Sequence, residues 1–373
     1  MYTKKYNSIR KKWVMGLSNF TYYYDNKKEN KSLKIEKKKN NYFSDCSGYY
    51  DNNYYYSNNY SYTQNLCFMN SSIQILSHLE EFRDWILSIN FDSDKTLLKA
   101  TRDLFEEMEN EKSPEKSSVK SIKEEIGKLD ERFKTNDQQD ASEFISFFIG
   151  KLLEETQGTK EINNLEDELK ELDESEQEGF KRLWKRFFLR KGKSYIVDLF
   201  YGILRVETRN KKDDKLISIR FNMFNILELP IYYLDKEYYK IYIENIFKNN
   251  FLEKKDNDDG QTYDITTIYR LPKYLIVFLN RTVNNRYLDM KVIYKKSIDL
   301  TPYINSKQNK EKKNNIYNLC GIIEYHTYNS KNGHYTATSL CGNQWYFFND
   351  SFIKEKDDID DLDDEIILAY ERK

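Results

Sequence analysis

A cysteine and a histidine, far apart in the chain, are the residues whose types and surroundings suggest chemistry. Cys67 opens a run of apolar residues spaced three and four apart, which predicts an amphipathic helix with the thiol at its N-terminal end. The unpaired amide groups and the positive dipole at such an end favour thiolate over thiol. A lone cysteine on an apolar stretch is also typical of a small buried hydrophobe, so a nucleophile needs a base from elsewhere in the chain.

His334 is the residue that could serve as this base. It directly precedes the strand-like run Thr336 to Leu340, and the aromatic run from Trp345 predicts a second strand joined to the first by a hairpin. Such pairing would bring Asn349 or Asp350 against the imidazole, where an amide or carboxylate fixes the ring tautomer. The order Cys, His, Asn is that of papain-like enzymes. Taken alone, these residues are more typical of a purely structural role on a hairpin.

Helical and strand-like patterns occupy different halves of the chain. Apolar spacing predicts one helix from Cys67 to about Ile86 and another that Asp137 caps, with Gln138, Gln139 and Asp140 in its first turn. The acidic segment Glu161 to Phe180 suggests a further surface helix. Helices followed by strands indicate an α+β protein. The predicted strands are Tyr195 to Val197, Ile203 to Val206, Leu216 to Phe221, Ile268 to Leu279 and Tyr317 to Tyr325.

Charge is distributed unevenly although the formal net charge of the 373 residues is only -1. Residues 1–57 form a low-complexity arm rich in Lys, Asn and Tyr, which we expect to be disordered. A basic arm could contact nucleic acid, an anionic membrane or an acidic partner, or simply be solvated. Composition therefore does not firmly imply a nucleic-acid partner.

Cysteine usage and hydropathy restrict the environment of the protein. The four cysteines form no C-x-x-C pair and are widely spaced, which argues against a disulfide framework or a zinc ribbon and predicts a reducing compartment. No apolar signal core follows the N-terminal lysines, and the longest clean apolar run, Tyr274 to Leu279, is too short to span a bilayer. We expect a protein of the cytoplasm, the nucleus or both, without a membrane anchor.

Five segments, in the family's order along the chain, resemble sequence segments of ubiquitin-specific proteases. The resemblance runs from about Tyr60 to the C-terminus. Asn65 to Gln74 is similar to the cysteine box, and Gln138 to Phe144 is similar to the Gln-Gln-Asp-Ala box. The histidine box is matched by Tyr317 to Asp350, its preceding strand by Leu271 to Arg281, and the closing strand by Glu365 to Glu371.

The resemblance implies a papain-like cysteine protease whose catalytic domain spans residues 58–373, with a helical thumb at about 58–190 and antiparallel β fingers and palm at about 191–373. It implies a thiol-dependent deubiquitinase that hydrolyses the bond after the C-terminal glycine of ubiquitin, without a cofactor or metal. Expected partners are ubiquitin and ubiquitinated proteins, and a monomer is expected. The alternatives are a weak or inactive ubiquitin-binding scaffold and a protease for another ubiquitin-like modifier.

The resemblance also implies roles for single residues. Cys67 would be the nucleophile and His334 the general base, with Asn349 orienting the imidazole and Asp350 beside it. The expected substrate contacts are Gln138, Asp140 and Tyr335, where Asp140 pairs with an arginine of the ubiquitin tail and Tyr335 roofs a channel for its glycines.

Two departures from the family pattern concern the oxyanion hole and the fingers. Where the family usually has an asparagine as oxyanion donor, five residues before the nucleophile, this chain has Tyr62. The Cys67 amide with Tyr62, Gln64 or Asn65 are the candidate replacements. Family members often hold zinc in the fingers, but the corresponding segment 205–220 contains no cysteine, which excludes a zinc site there.

Overall fold

The structure is a computed structural model. It describes residues 65–109, 117–158, 169–170, 172–188, 194–231, 240–283, 286–288, 290–305, 314–327, 333–350, 352–359 and 364–373. The basic arm 1–57 and the oxyanion candidates Tyr62 and Gln64 lie outside these ranges. No helix in the described ranges has both the length and the apolar character that a bilayer crossing needs.

The described chain forms eight α-helices and sixteen strands, which confirms the α+β prediction. The helices are α1 (Cys67–Ser77), α2 (Glu80–Ser88), α3 (Thr96–Glu109), α4 (Ser117–Leu129), α5 (Ala141–Glu155), α6 (Glu174–Arg186), α7 (Tyr195–Phe200) and α8 (Ile243–Phe251), with 3₁₀ turns at Glu131–Phe133 and Thr301–Tyr303. The strands are β1 (Gly202–Asn210), β2 (Leu216–Phe224), β3 (Leu227–Pro230), β4 (Lys240–Tyr242), β5 (Lys255–Asp256), β6 (Thr262–Arg270), β7 (Tyr274–Asn280), β8 (Thr282–Val283), β9 (Arg286–Tyr287), β10 (Lys291–Ile293), β11 (Ser297–Asp299), β12 (Ile316–Thr327), β13 (Gly333–Cys341), β14 (Gln344–Asn349), β15 (Phe352–Lys356) and β16 (Glu365–Arg372).

These elements belong to two compact units that interleave along the sequence. The first unit takes its described residues from 65–144 and 323–359, and the second from 145–322 and 364–373. The cysteine segment and the histidine segment therefore lie in the same unit although the chain separates them widely. The expected division into thumb, fingers and palm near residue 190 stays a prediction.

The sheet of the first unit carries the predicted hairpin. Its strand order is β15-β14-β13, followed by the end of β12. β13 and β14 are antiparallel, with Ala337 opposite Phe348 and Cys341 opposite Gln344, joined by a tight turn in which Gly342 has φ +68°. A positive φ suits glycine, which lacks a Cβ. The hairpin predicted from the aromatic run is confirmed, and α1 packs against β13.

The single helix predicted from Cys67 to Ile86 is wrong, because the structure breaks it into α1 and α2. At the end of α1 the Gln74 carbonyl accepts a hydrogen bond from Ser77 Oγ (3.1 Å) and contacts His78 Nδ1 (2.5 Å), so side chains compete with the helical ladder. Leu79 is extended (φ -75°, ψ 101°). The spacing of apolar residues continues across the break, and α2 buries its own apolar face. The spacing alone therefore does not reveal the break.

The predicted cap of the second helix is also wrong. α5 begins at Ala141, and Asp140 is its N-cap, because the Asp140 carboxylate accepts hydrogen bonds from the backbone N–H of Ser142 (2.7 Å) and Glu143 (3.0 Å). Asp137 lies too early in the chain to reach these groups. Gln138, Gln139 and Asp140 therefore precede the helix, without regular secondary structure, instead of forming its first turn.

In the second unit the strands form a sheet in the order β2-β1-β6-β5, another that begins with β12 and continues β16-β7-β3, and two small pairs, β10 with β4 and β8 with β9. Tyr195 to Val197, predicted as a strand, lies in helix α7, because Ser194 Oγ accepts from the Ile196 N–H (3.2 Å) and caps it. The predicted strand Ile268 to Leu279 is two strands, β6 and β7.

Ion pairs form along the hairpin β1/β2, the segment whose lack of cysteines excludes a zinc site. Arg205 donates to Glu176 at 2.8 Å, and the side chains of both are almost fully buried. Glu176 belongs to α6, which Asp173 opens with a reciprocal capping box. Part of the surface helix expected over Glu161 to Phe180 is thus present, while residues 159–168 lie outside the described ranges.

Candidate active site

Cys67 is the first residue of α1 and is 1% exposed. No side chain of the described chain caps this helix, so its first backbone N–H groups are available to a charge on the sulfur. The next residue anchors the helix start, because the Phe68 ring packs against Phe144 (centroids 5.6 Å apart) and Phe133 (6.0 Å). This aromatic cluster therefore holds the start of α1, and with it the thiol, in place.

His334 is the second residue of β13, and its side chain is 7% exposed. Its Nε2 lies 2.7 Å from the side-chain oxygen of Asn349, the last residue of β14. Nδ1 is the ring nitrogen left for Cys67. Burial lowers the pKa of His334, but the interaction with Cys67, the charge of Asp350 and the hydrogen bond to Asn349 together raise it above its ordinary value.

Asp350 contributes charge to the imidazole and has no direct hydrogen bond to it. Its Oδ2 lies 3.9 Å from His334 Nε2, while its Oδ1 accepts a hydrogen bond from Asn70 on α1 (2.9 Å). The backbone of Asp350 is left-handed (φ 46°), a conformation that Asp tolerates better than most residues. Asn70 therefore links the helix that carries the thiol to the turn that follows the Asn349 strand.

Gln138 contacts the backbone of the chain itself. Its Nε2 donates to the Gly333 carbonyl, and the Gly333 N–H donates to its Oε1 at 3.2 Å. The same Nε2 lies 3.9 Å from the Cys67 sulfur. Both ends of the amide thus hold the residue directly before the histidine, next to the thiol.

Asp140 and Tyr335, the other two expected substrate contacts, lie close together. One carboxylate oxygen of Asp140, Oδ1, receives the hydrogen bonds that cap α5. Burial raises the pKa of Tyr335, the charge of Asp140 raises it further, and the Ala141 backbone N–H donates to its phenol. The expected role of each toward a substrate stays a prediction.

Tyr325 is a site residue that the sequence did not single out. Its ring lies 4.5 Å from the Tyr335 ring, centroid to centroid, and covers the Cα of Gly333 so closely that a Cβ there would enter the ring. Its pKa is raised by partial burial and by the charges of Cys67 and Asp140. Tyrosine is too common in this chain, with 32 copies, for its position in β12 to have stood out.

The oxyanion candidates are only partly described. Tyr62 and Gln64 lie outside the described residues. The side-chain amide of Asn65 donates to the Asn136 carbonyl at 3.1 Å, so this contact directs it to the segment before α5. The donors described beside the sulfur are the N–H groups at the start of α1 and Gln138 Nε2.

The other two described cysteines differ from Cys67 in their surroundings. Burial raises the pKa of Cys320 well above the ordinary range, and its sulfur lies 3.2 Å from the Ala369 carbonyl. Cys341 ends β13 and is half-buried. A buried thiol at a helix start, a histidine and an amide that fixes the ring together suit nucleophilic acyl transfer.

Comparison with known families agrees with this geometry. The family model described as "Ubiquitin carboxyl-terminal hydrolase" matches residues 58–370. Ubiquitin carboxyl-terminal hydrolase 2 of Rattus norvegicus is 26% identical over 320 residues, which cover 77% of this chain and 49% of the relative. Ubiquitin carboxyl-terminal hydrolase 32 of Mus musculus is 31% identical over 176 residues, covering 44% of this chain and 11% of that protein.

Solved structures show the same fold. The SAGA Ubp8/Sgf11/Sus1/Sgf73 DUB module bound to ubiquitin aldehyde gives a TM-score of 0.62 at 21% identity, covering 83% of this chain and 68% of that one. A yeast SAGA DUB module with an Sgf73 mutant gives 0.60 at 20% identity, covering 83% and 67%. The chain spans about half the length of the first curated relatives it matches.

Proposed function

Because the chain belongs to the ubiquitin carboxyl-terminal hydrolase family, we propose that it is a thiol-dependent deubiquitinase that hydrolyses the bond after the C-terminal glycine of ubiquitin in ubiquitin–protein conjugates. One observation carries the proposal. The His334 ring is hydrogen-bonded through Nε2 to Asn349 (2.7 Å), and its pKa is raised, against the effect of burial, by Cys67, Asp350 and Asn349. These are the contacts that a cysteine protease needs between nucleophile, base and orienting amide.

The reaction follows from these contacts. The Cys67 thiolate attacks the glycine carbonyl carbon, and the carbonyl electron pair moves to oxygen. The tetrahedral intermediate then collapses and expels the amine, which takes a proton from His334, and a thioester remains on the sulfur. His334 next removes a proton from water, which attacks the thioester. Ubiquitin leaves with a free carboxylate, and the thiol is regenerated.

Asp140 and the tyrosines beside Gly333 support a substrate with a slim, basic tail. Asp140 uses Oδ1 for the helix cap, so we assign its second oxygen to an arginine of the ubiquitin tail. The rings of Tyr325 and Tyr335 are tilted by 39° to each other, and the Tyr325 ring leaves no room for a Cβ on Gly333. A tail that ends in two glycines fits such a site better than a residue with a bulky side chain.

The proposal is tested with a ubiquitin probe that carries a thiol-reactive group at its C-terminus. We expect covalent labelling of the wild-type protein, loss of labelling in Cys67→Ala and full labelling in Cys341→Ala, the matched control. Labelling that persists in Cys67→Ala would refute the assignment of the nucleophile. If another ubiquitin-like modifier with a different tail competes with the probe as well as free ubiquitin does, the same site takes a different substrate.

The same experiment separates an enzyme from a scaffold that binds ubiquitin without cutting it. The observation that motivates a scaffold is the position of the Asn65 amide, which donates to the Asn136 carbonyl 3.1 Å away and is thereby directed to the segment before α5. Tight binding of ubiquitin with no labelling and no thioester would support the scaffold. We expect labelling instead, because the N–H donors described at the sulfur are those of the helix start and of Gln138. These donors do not depend on the position of Asn65.

A further inference from the structure

Gln138 joins the two halves of the candidate site. It lies 71 residues after Cys67 and 195 residues before Gly333, and it contacts both. Its Oε1 accepts from the Gly333 N–H at 3.2 Å, and its Nε2 donates to the Gly333 carbonyl. A single amide therefore takes both backbone groups of one residue, which fixes that residue in rotation as well as in position.

The place of this contact gives it a consequence for catalysis. Gly333 is the first residue of β13 and precedes His334, so an amide that fixes Gly333 also fixes the start of the strand that carries the base. Ordinary pairing of β13 with β14 begins only at Ala337 in the register described. On its other side β13 pairs with β12. Gln138 adds two contacts to the backbone of Gly333, at the start of the strand.

The amide also has a hydrogen left for the sulfur. A primary amide carries two N–H groups, and the contact to the Gly333 carbonyl uses one of them. Nε2 lies 3.9 Å from Cys67 Sγ, within the longer range of hydrogen bonds to sulfur. A donor in this place stabilises a thiolate more than a thiol, because hydrogen bonds to charged groups are the stronger ones.

We propose that Gln138 is a positioning residue of the catalytic centre, which fixes Gly333 and His334 against α1 and holds an N–H donor at the Cys67 sulfur. This role differs from the substrate contact that the family resemblance implies. It deepens the proposed function and rests on it only in taking Cys67 as the nucleophile.

Several other groups act on the same sulfur, and the test must hold them constant. His334 on β13 is the cation, and the phenols of Tyr325 on β12 and Tyr335 on β13 also interact with Cys67. Asp140 faces the two phenols, and Asp350 faces the imidazole. Since thiol and imidazole titrate together, the measured value belongs to the pair.

The experiment measures the ultraviolet absorbance of the thiolate against pH, taken as the difference between each protein and its Cys67→Ala counterpart, so that tyrosine ionisation cancels. Gln138→Met removes the donor and the acceptor with little change in size. Gln138→Glu keeps an oxygen for the Gly333 N–H and removes the donor. Gln139→Met, at the adjacent half-buried glutamine, is the matched control. Thermal unfolding of each variant shows that it is folded.

We expect the apparent pKa of the Cys67 thiol to rise by about one unit or more in Gln138→Met and in Gln138→Glu, and to stay unchanged in Gln139→Met. If both Gln138 variants titrate like the wild type while folded, the proposal is overturned. Probe labelling is measured in parallel. A shifted thiol in a protein that ubiquitin probes never label would leave the role of Gln138 intact and refute the deubiquitinase.

Discussion

The side-chain oxygen that Asn349 presents to His334 is the contact whose loss we expect to be most informative. Asn349→Ala removes an acceptor that lies 2.7 Å from His334 Nε2. The His334 side chain is only 7% exposed to water. Asp350 cannot simply take its place, because its nearer oxygen is 3.9 Å from Nε2 and its other oxygen accepts from Asn70. The imidazole should therefore lose both its tautomer and its orientation.

The size of the effect follows from the burial of this nitrogen. A buried donor left without its acceptor costs about 1–3 kcal/mol. If the whole cost appears in the transition state, at about 1.4 kcal/mol per factor of ten, kcat/KM falls by roughly 5- to 160-fold. Asp350→Ala removes a charge that lies beyond hydrogen-bonding distance of Nε2, together with the acceptor of the Asn70 hydrogen bond. Because neither change takes an acceptor from the imidazole, its loss of kcat/KM should be the smaller of the two.

The assay is steady-state hydrolysis of a fluorogenic ubiquitin amide by wild type, Asn349→Ala and Asp350→Ala. Asn343→Ala, in the exposed turn of the same hairpin, is the matched control and should retain wild-type turnover. If Asn349→Ala stays within about twofold of wild type while Asp350→Ala falls below a tenth of it, Asp350 is the orienting residue and our argument from distance is wrong.

Two further outcomes follow from the same unit. In Gly333→Ala the new methyl group would enter the Tyr325 ring, so we expect a loss of about 1–3 kcal/mol in thermal unfolding, which Tyr325→Ala in the same chain should relieve; no relief would contradict the packing described. Burial lowers the pKa of His334, but Cys67, Asp350 and Asn349 raise it overall. Because the folded pKa exceeds the unfolded value of about 6.5, this contribution to stability is complete below about pH 6.5 and disappears as pH rises through the folded pKa. The melting temperatures of wild type and His334→Gln should therefore differ more at about pH 6 than at about pH 9, and an equal difference would refute the sign.

The hairpin that carries His334 and Asn349 was predictable, because its information is local. A run of aromatic residues and a Gly-containing turn indicate which strands pair and in what register. The broken helix at His78 was not predictable from its apolar period, since α1 and α2 preserve that period across the break. Short elements such as α7 depend on a cap at Ser194 that outweighs β-branched residues nearby.

The contacts that complete the site were beyond local reasoning. Gln138 could be recognised as part of a family box, but nothing in its neighbours specifies a bond to Gly333, 195 residues away. Tyr325 resembles many other tyrosines until the fold places its ring over Gly333. Cooperation between distant side chains depends on tertiary packing, which sequence periodicity does not contain.

The interleaving of the two units has a consequence for synthesis. Cys67 leaves the ribosome early, whereas His334 and Asn349 are translated only after the whole segment 145–322 has been made. A nascent chain thus carries a thiol that has not yet met its base, and closing such a long stretch of polypeptide adds an entropic cost before the centre can form. The pairing of Cys67 with its base is thereby deferred until the histidine hairpin has been synthesised.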